Sequence, residues 1–143
     1  MALPDPKPGL VVGHSYLWAD QARSGREEGV KDRPCMIILA VQTLDGGRLV
    51  HAAPITHAAP IVPGAGVELP AATKARLGLD EAPSWIVTTE VNRFLWPGPD
   101  LRPVSRDRPD TFAFGSIPLA ILRQVIAQVR AHRSLRAVNR DDR

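Results

Sequence analysis

Residues 33–56 read RPCMIILAVQTLDGGRLVHAAPIT, two apolar runs separated by a polar turn. The first run, Pro34 to Val41, is short and apolar, which is typical of a strand buried on both faces. The turn Asp45-Gly46-Gly47 follows, and Arg48 to Ile55 has the composition of a second strand. This order of strand, glycine turn and strand predicts a β-hairpin at the centre of the fold.

Further short elements flank the hairpin. Leu10 to Trp18 is rich in β-forming residues, and Ser84 to Val91 alternates in a way that places Trp85, Val87, Thr89 and Val91 on one face. The charged stretch Ala19 to Asp32 predicts a loop or a short solvated helix. Val67 to Leu69 predicts an edge strand, and Pro70 to Gly78 predicts one or two helical turns ended by the glycine.

The C-terminal part of the chain predicts one amphipathic helix, with Ser116 as its cap. Its apolar stripe comprises Leu122, Val125, Ile126 and Val129, and its polar face comprises Arg123, Gln124, Gln128 and Arg130. Short strands, proline-rich turns and a terminal helix predict a mainly β fold with α, a small barrel with the helix packed on it. We expect one domain over residues 1–143, with an extended lead-in at 1–9 and a basic tail at 134–143.

Composition and charge limit the partners and the cellular compartment that we expect for this protein. Arginine outnumbers lysine fifteen to three, and the segment from Arg123 onward carries a formal charge of +4. Because the guanidinium group binds phosphate and carboxylate bidentately, this bias favours anionic partners. The single cysteine, Cys35, excludes a disulfide framework. No apolar run approaches the length of a bilayer span, and the start lacks the apolar core of a signal peptide, so we expect a cytoplasmic protein without a membrane partner.

Several catalytic motifs are absent from the sequence. There is no phosphate-binding G-x-x-x-x-G-K-[ST] loop, and Gly64-Ala65-Gly66 lacks the third glycine of a dinucleotide fingerprint. The four histidines have no cysteine or carboxylate at a familiar metal spacing, and no serine lies in a G-x-S-x-G motif. We therefore expect no metal and no cofactor.

Two short motifs, at the start of the first hairpin strand and at the end of the second, resemble those of a known protein family. Arg33-Pro34 opens an apolar strand, and Pro54-Ile55-Thr56 closes the next one. With the later strand and the C-terminal helix in the same order, the chain resembles the MazF/PemK family of toxin endoribonucleases over most of Gly9 to His132. The resemblance implies an SH3-like barrel, a homodimer, and cleavage of single-stranded RNA without a metal. It also implies inhibition by a cognate antitoxin with a flexible acidic segment.

The resemblance assigns catalytic roles to Arg33, Thr56 and Glu28, with Glu27 as an alternative match for the acidic residue. The residues expected to contact RNA around them are Glu27, Lys31, His57, Asn92 and Arg93. In the later strand the family often has a glutamine followed two residues on by a basic residue, where this chain has Glu90, Asn92 and Arg93.

These residue types suit attack by a ribose 2′-OH on the neighbouring phosphate. Arg33 would hold the non-bridging oxygens, Thr56 would donate a hydrogen bond to the same phosphate, and Glu28 or Glu27 would accept the 2′-OH proton. Each residue also has a structural interpretation: a surface arginine beside a strand, a turn cap, and solvated loop charges. The alternative function is a non-catalytic SH3-like barrel that binds nucleic acid or a protein segment.

Overall fold

The computed structural model describes residues 3–25, 31–132 and 134–141. Within them, the fold is mainly β, as the sequence predicts, and it contains three helices. The elements in chain order are β1 (Leu10–Ser15), α1 (Ala19–Arg23), β2 (Asp32–Gln42), β3 (Arg48–Thr56), β4 (Gly66–Glu68), α2 (Ala71–Leu77), β5 (Trp85–Val87), β6 (Glu90–Leu95), β7 (Leu101–Arg102), β8 (Ala113–Ser116), α3 (Leu119–Ala131) and β9 (Arg136–Asn139).

The predicted hairpin is confirmed, and β2 lies between two apolar clusters. Met36 and Ile38 pack into one cluster with α3, whereas Cys35 and Ile37 pack into a second cluster with Phe94. Burial raises the pKa of the Cys35 thiol, which is fully enclosed. Burial on both faces ends at Ile38, since Leu39, Val41 and Gln42 beyond it are exposed. The apolar run is therefore a central strand for half of its length and a one-sided strand for the rest.

The strands form one mixed sheet with a branched order. The path runs β4-β5-β3-β2-β1-β7, and β3 also pairs with β6 while β1 also pairs with β8. All pairings are antiparallel except the pairing of β6 with β9. No ladder among the described residues joins the two ends of this path, so the sheet is open. The closed barrel that the sequence predicts is not confirmed. The mainly β fold class is confirmed.

The strand predicted over Ser84 to Val91 is two strands. β5 pairs with the end of β3 through Ile55 and Thr56, and β6 pairs with the beginning of β3. The break falls at Thr88, whose backbone N–H donates to Ala65 O at 3.1 Å. Both strands run antiparallel to β3, but the step of six residues from Ile86 to Asn92 spans only three residues of β3, so the pairing register shifts there. Thr88 and Glu90 are buried, as are Ser84 and Ile86 on the same predicted face, so the segment is not a strand with one buried face.

The C-terminal helix α3 begins after Pro118 rather than at a Ser116 cap. Ile121 and Val125 are its buried residues, with Leu122 and Val129 partly buried beside them. Gln128 does not face water: its amide donates to Gly66 O at 3.1 Å and accepts from Thr88 Oγ1 at 2.8 Å. Across the described residues, no helix has both the length and the apolar character that crossing a membrane requires.

The segment expected to be a basic tail contributes a strand and a buried side chain. β9 pairs parallel with β6, and Arg140 is 2% exposed. The Arg140 guanidinium lies 3.0 Å from the Asp100 carboxylate and 3.1 Å from Asn92 Oδ1, and it also donates to Ser15 O. Residues 136–139 are therefore part of the sheet, and Arg140 is part of the buried interior.

Asn92 is the centre of this buried polar network. Its Oδ1 also accepts from the backbone N–H of Leu17 at 2.9 Å and from His14 Nε2 at 3.2 Å, and its Nδ2 donates to Leu17 O at 2.7 Å. Since the buried groups are hydrogen-bonded, the network fixes β1, β6 and the C-terminal segment relative to one another.

We predict that replacing Asp100 with alanine destabilises the protein by about 3–5 kcal/mol, because it leaves the buried Arg140 charge without its carboxylate. The free energy of unfolding in urea measures the effect. The matched control is Asp5→Ala, which removes an exposed ion pair to Arg48 and should cost less than about 1 kcal/mol. Equal losses in the two variants would contradict this account of the network.

Candidate functional site

The start of β2 and the end of β3 form one wall of a pocket of about 220 Å³. Cys35 lies opposite Pro54 in the hairpin, so the same register continued by two residues places Arg33 opposite Thr56. The loop between α2 and β5 forms the other wall. The lining residues are Lys31, Asp32, Arg33, Pro34, Ile55, Thr56, His57, Leu79, Asp80 and Ser84. The structure thus brings together Arg33 and Thr56, as well as Lys31 and His57.

Arg33 is half-buried and stacks on an indole ring. Its guanidinium carbon lies 5.0 Å from the centroid of the Trp18 ring, a cation–π distance. Its Nε is buried and has no hydrogen-bond partner in the part of the chain that the structure describes, and burial lowers the pKa of the guanidinium. No carboxylate within the described residues forms an ion pair with it. Since an arginine keeps its charge even so, Arg33 is an oriented cation with unused donor capacity.

Thr56 combines a structural and a potential binding role. Its Oγ1 accepts the backbone N–H of Ala58 at 3.2 Å, which fixes the turn after β3. A hydroxyl that accepts one hydrogen bond still has its own hydrogen to donate. The turn-cap interpretation of Thr56 is therefore compatible with donation to a ligand in the pocket.

His57 is held at the rim of the pocket by two acceptors. Its Nε2 lies 2.9 Å from Asp80 Oδ2, and its Nδ1 lies 2.9 Å from Pro83 O. The Ser84 hydroxyl oxygen also lies 3.1 Å from Nδ1. These three polar contacts fix the orientation of the His57 ring.

A buried lysine, which the sequence analysis did not single out, organises the second wall. Lys74 is 4% exposed, and its Nζ donates to Asp80 Oδ1 at 2.8 Å, to Ser84 Oγ at 2.7 Å and to Ala82 O. The hydrogen bond from Lys74, together with the charge of His57, lowers the pKa of the Asp80 carboxyl. Lys74 thereby fixes the loop that holds His57. No local pattern marks it, because its partners lie six to ten residues further along the chain.

The other predicted site residues lie elsewhere. Glu27 and Glu28 fall outside the described residues. Asn92 is fully buried in the polar network and therefore not accessible to RNA. Arg93 is on β6 and lines a different groove, together with Arg136 of β9. The expected RNA contacts thus divide into Lys31 and His57 at the pocket and Arg93 away from it.

Comparison with models of known protein families, with curated proteins and with solved structures finds no match to this chain. The chemistry of the pocket is therefore inferred from its own side chains. Lys31 and Arg33 supply positive charge, Thr56 supplies a hydroxyl donor, and the nearby carboxylate of Asp32 lies 3.5 Å from Arg102. This donor set fits one bound anion of the size of a phosphate group.

We predict that Asp80→Asn lowers stability at neutral pH and that the difference from the unchanged protein disappears in acid. Because the pKa of Asp80 is lowered on folding, its ionised form contributes stability above the unfolded pKa of about 3.8. That contribution is lost as the pH falls through the lower folded pKa. Urea unfolding between about pH 2.5 and 6 measures it.

The matched control is Asp107→Asn, which changes an exposed side chain. It should shift the free energy of unfolding by less than about 0.5 kcal/mol across the same range. A stability difference for Asp80→Asn that stayed constant down to the most acidic condition would contradict the role given to Asp80.

Proposed function

We propose that this chain is a metal-independent endoribonuclease of the MazF/PemK kind, which cuts single-stranded RNA as the toxin of a type II toxin-antitoxin pair. One observation carries the proposal. Arg33 and Thr56, which the resemblance selects, line the same open pocket, and the Arg33 guanidinium has no counter-ion among the described residues. An oriented cation beside a hydroxyl donor is what a phosphorane intermediate requires.

The proposed reaction is an internal transfer at phosphorus. The 2′-oxygen of one ribose attacks the adjacent phosphate, the bond from phosphorus to the 5′-oxygen breaks, and the products are a 2′,3′-cyclic phosphate and a 5′-hydroxyl. Arg33 holds the non-bridging oxygens, Thr56 donates to one of them, and Lys31 adds positive charge. Glu28 or Glu27 accepts the 2′-OH proton, and the departing 5′-oxygen takes up a proton.

The proposal includes the SH3-like barrel fold, in a form in which the first and last strands of the sheet are not hydrogen-bonded to each other within the described residues. In its favour, β2 bends at an irregularity between Ile37 and Leu39, and β3 divides its edge between β5 and β6. Bends and shared strands of this kind allow a small sheet to curl around a core.

We also propose a homodimer and an acidic antitoxin as partners. Val41, Leu49 and Leu95 lie side by side across β2, β3 and β6, with Val41 45% and Leu95 46% exposed. An exposed apolar row of this kind is suited to burial against a second copy. The Lys31 and Arg33 side chains of the pocket, in turn, are suited to the acidic segment of an antitoxin that blocks RNA.

One observation favours the second candidate, a barrel that binds RNA without cutting it. Among the described lining residues, the two carboxylates Asp32 and Asp80 are both in ion pairs, and both ring nitrogens of His57 are already in polar contacts, Nε2 with Asp80 and Nδ1 with Pro83 O and Ser84 Oγ. Without a contribution from Glu27 or Glu28, the pocket would hold a phosphate but have no base to accept the 2′-OH proton.

The test uses the purified chain, an end-labelled single-stranded oligoribonucleotide and a metal chelator. We expect fragments ending in 2′,3′-cyclic phosphate. Arg33→Ala should lower the cleavage rate about 10²–10³-fold, because it removes the principal charge that stabilises the transition state. Arg123→Ala, an exposed arginine on α3, is the control that should leave the rate unchanged.

The same oligonucleotide with a 2′-deoxyribose at each position measures binding alone. Binding of this analogue that depends on Arg33, with no cleavage of the RNA by the unchanged protein, would establish the binding module and reject the nuclease. Full cleavage by the Arg33→Ala variant would reject the site.

A further inference from the structure

The strand β9 ends one branch of the sheet with an edge that no other described strand pairs. Its one strand partner among the described residues is β6. The N–H of Arg136 donates to Thr89 O at 3.1 Å, and the N–H of Arg140 donates to Arg93 O at 2.8 Å. Because backbone groups alternate in direction along a strand, those of Ala137 and Asn139 point away from β6. Neither residue's backbone forms a hydrogen bond within residues 3–25, 31–132 and 134–141.

A groove follows this edge and has a volume of about 640 Å³. Its lining residues are Ala19, Ala22, Arg23, Arg93, Arg136, Ala137, Val138 and Asn139. Ala137 and Val138 belong to opposite faces of the sheet, so a groove that touches both follows the strand edge. Small side chains at Ala19 and Ala22 on α1 leave room for a backbone to approach. The groove therefore lies where an added strand would run.

The charged side chains of the groove indicate which kind of extended peptide it would bind. Arg23 and Arg136 share one exposed carboxylate, Asp20, which lies 3.2 Å from Arg136. Arg136 also lies 3.5 Å from Glu90, whose carboxylate is buried. Arg93 has no ion pair within the described part of the chain. Three guanidinium groups and two carboxylates leave an excess positive charge along the edge, which complements an acidic segment.

We infer that the β9 edge binds an extended acidic segment of a partner protein, which adds to the sheet as a further strand. Backbone hydrogen bonds to Ala137 and Asn139 provide the attachment, and Arg93 with Arg136 selects acidic side chains. Unpaired strand edges are complementary to a peptide backbone and not to an RNA backbone, which favours a protein partner. This surface is distinct from the Arg33 pocket, so the ribonuclease proposal and this inference can fail independently.

The probe is a fluorescein-labelled octapeptide of alternating glutamate and valine, and its binding to the full chain is measured by fluorescence anisotropy. Ala137→Pro removes the outward N–H without touching a bond to β6, a change that an edge strand tolerates. We expect this variant to keep its unfolding midpoint and to bind the peptide at least about fivefold more weakly. Unchanged affinity would overturn the inference.

A change in the peptide provides a second measurement that does not depend on the folding of a variant. N-methylation of alternate residues keeps the charge of the peptide and blocks strand pairing on one edge. We expect methylation in one of the two alternating patterns to abolish binding to the unchanged protein, and equal binding of both methylated peptides would overturn the inference.

Charge selection is tested with Arg93→Gln against Arg123→Gln, which removes an equal charge from the exposed face of α3. We expect about tenfold weaker peptide binding for the first variant and no change for the second. Failure of the peptide to bind, together with Arg93-dependent binding of an oligoribonucleotide, would overturn the inference in favour of a nucleic-acid surface.

Discussion

The enclosure of β2 is the constraint on which the rest of the structure depends. Its first half is covered by apolar clusters on both faces, and its two edges are hydrogen-bonded to β1 and β3. A slip of one residue would move Met36 and Ile38 to the opposite cluster, so the register of the hairpin is fixed by packing. That register places Arg33 opposite Thr56, at the end of the hairpin where β2 is no longer covered on both faces. The pocket between Arg33 and Thr56 is a direct result.

The polar network around Asn92 complements this apolar constraint. Apolar packing specifies contacts within the sheet, but it does not by itself attach the C-terminal segment. The Arg140 guanidinium supplies that attachment, because Asp100, Asn92 and a backbone carbonyl of β1 all accept from it. A buried network is stabilising when all its members are satisfied, and each missing member leaves a desolvated polar group. The network therefore selects one arrangement of β1, β6 and β9 over looser alternatives.

The features of the fold that depend on local sequence patterns are predicted from the sequence. The hairpin, the glycine that ends α2 and the apolar stripe of α3 follow from periodicity and turn chemistry, and the hairpin places Arg33 near Thr56. Lys74, Asn92 and Arg140 are polar residues that composition assigns to the surface. Their burial depends on partners elsewhere in the fold, up to 125 residues away for Arg140 and Ser15. The same limitation explains the break at Thr88, where a shift of register against β3 interrupts an alternation that looks continuous.

The separation of Arg140 from its partners also affects how the protein forms during translation. β1 pairs on one edge with β2, which follows it by 17 to 25 residues, but its other edge pairs with β8, and Ser15 O accepts from Arg140, both more than 100 residues further along the chain. The pair of β1 and β2 can therefore form early, whereas the second edge of β1 must wait for later segments, because distant strands carry the largest loop-closure cost. During synthesis this second edge consequently stays open after the first one has paired.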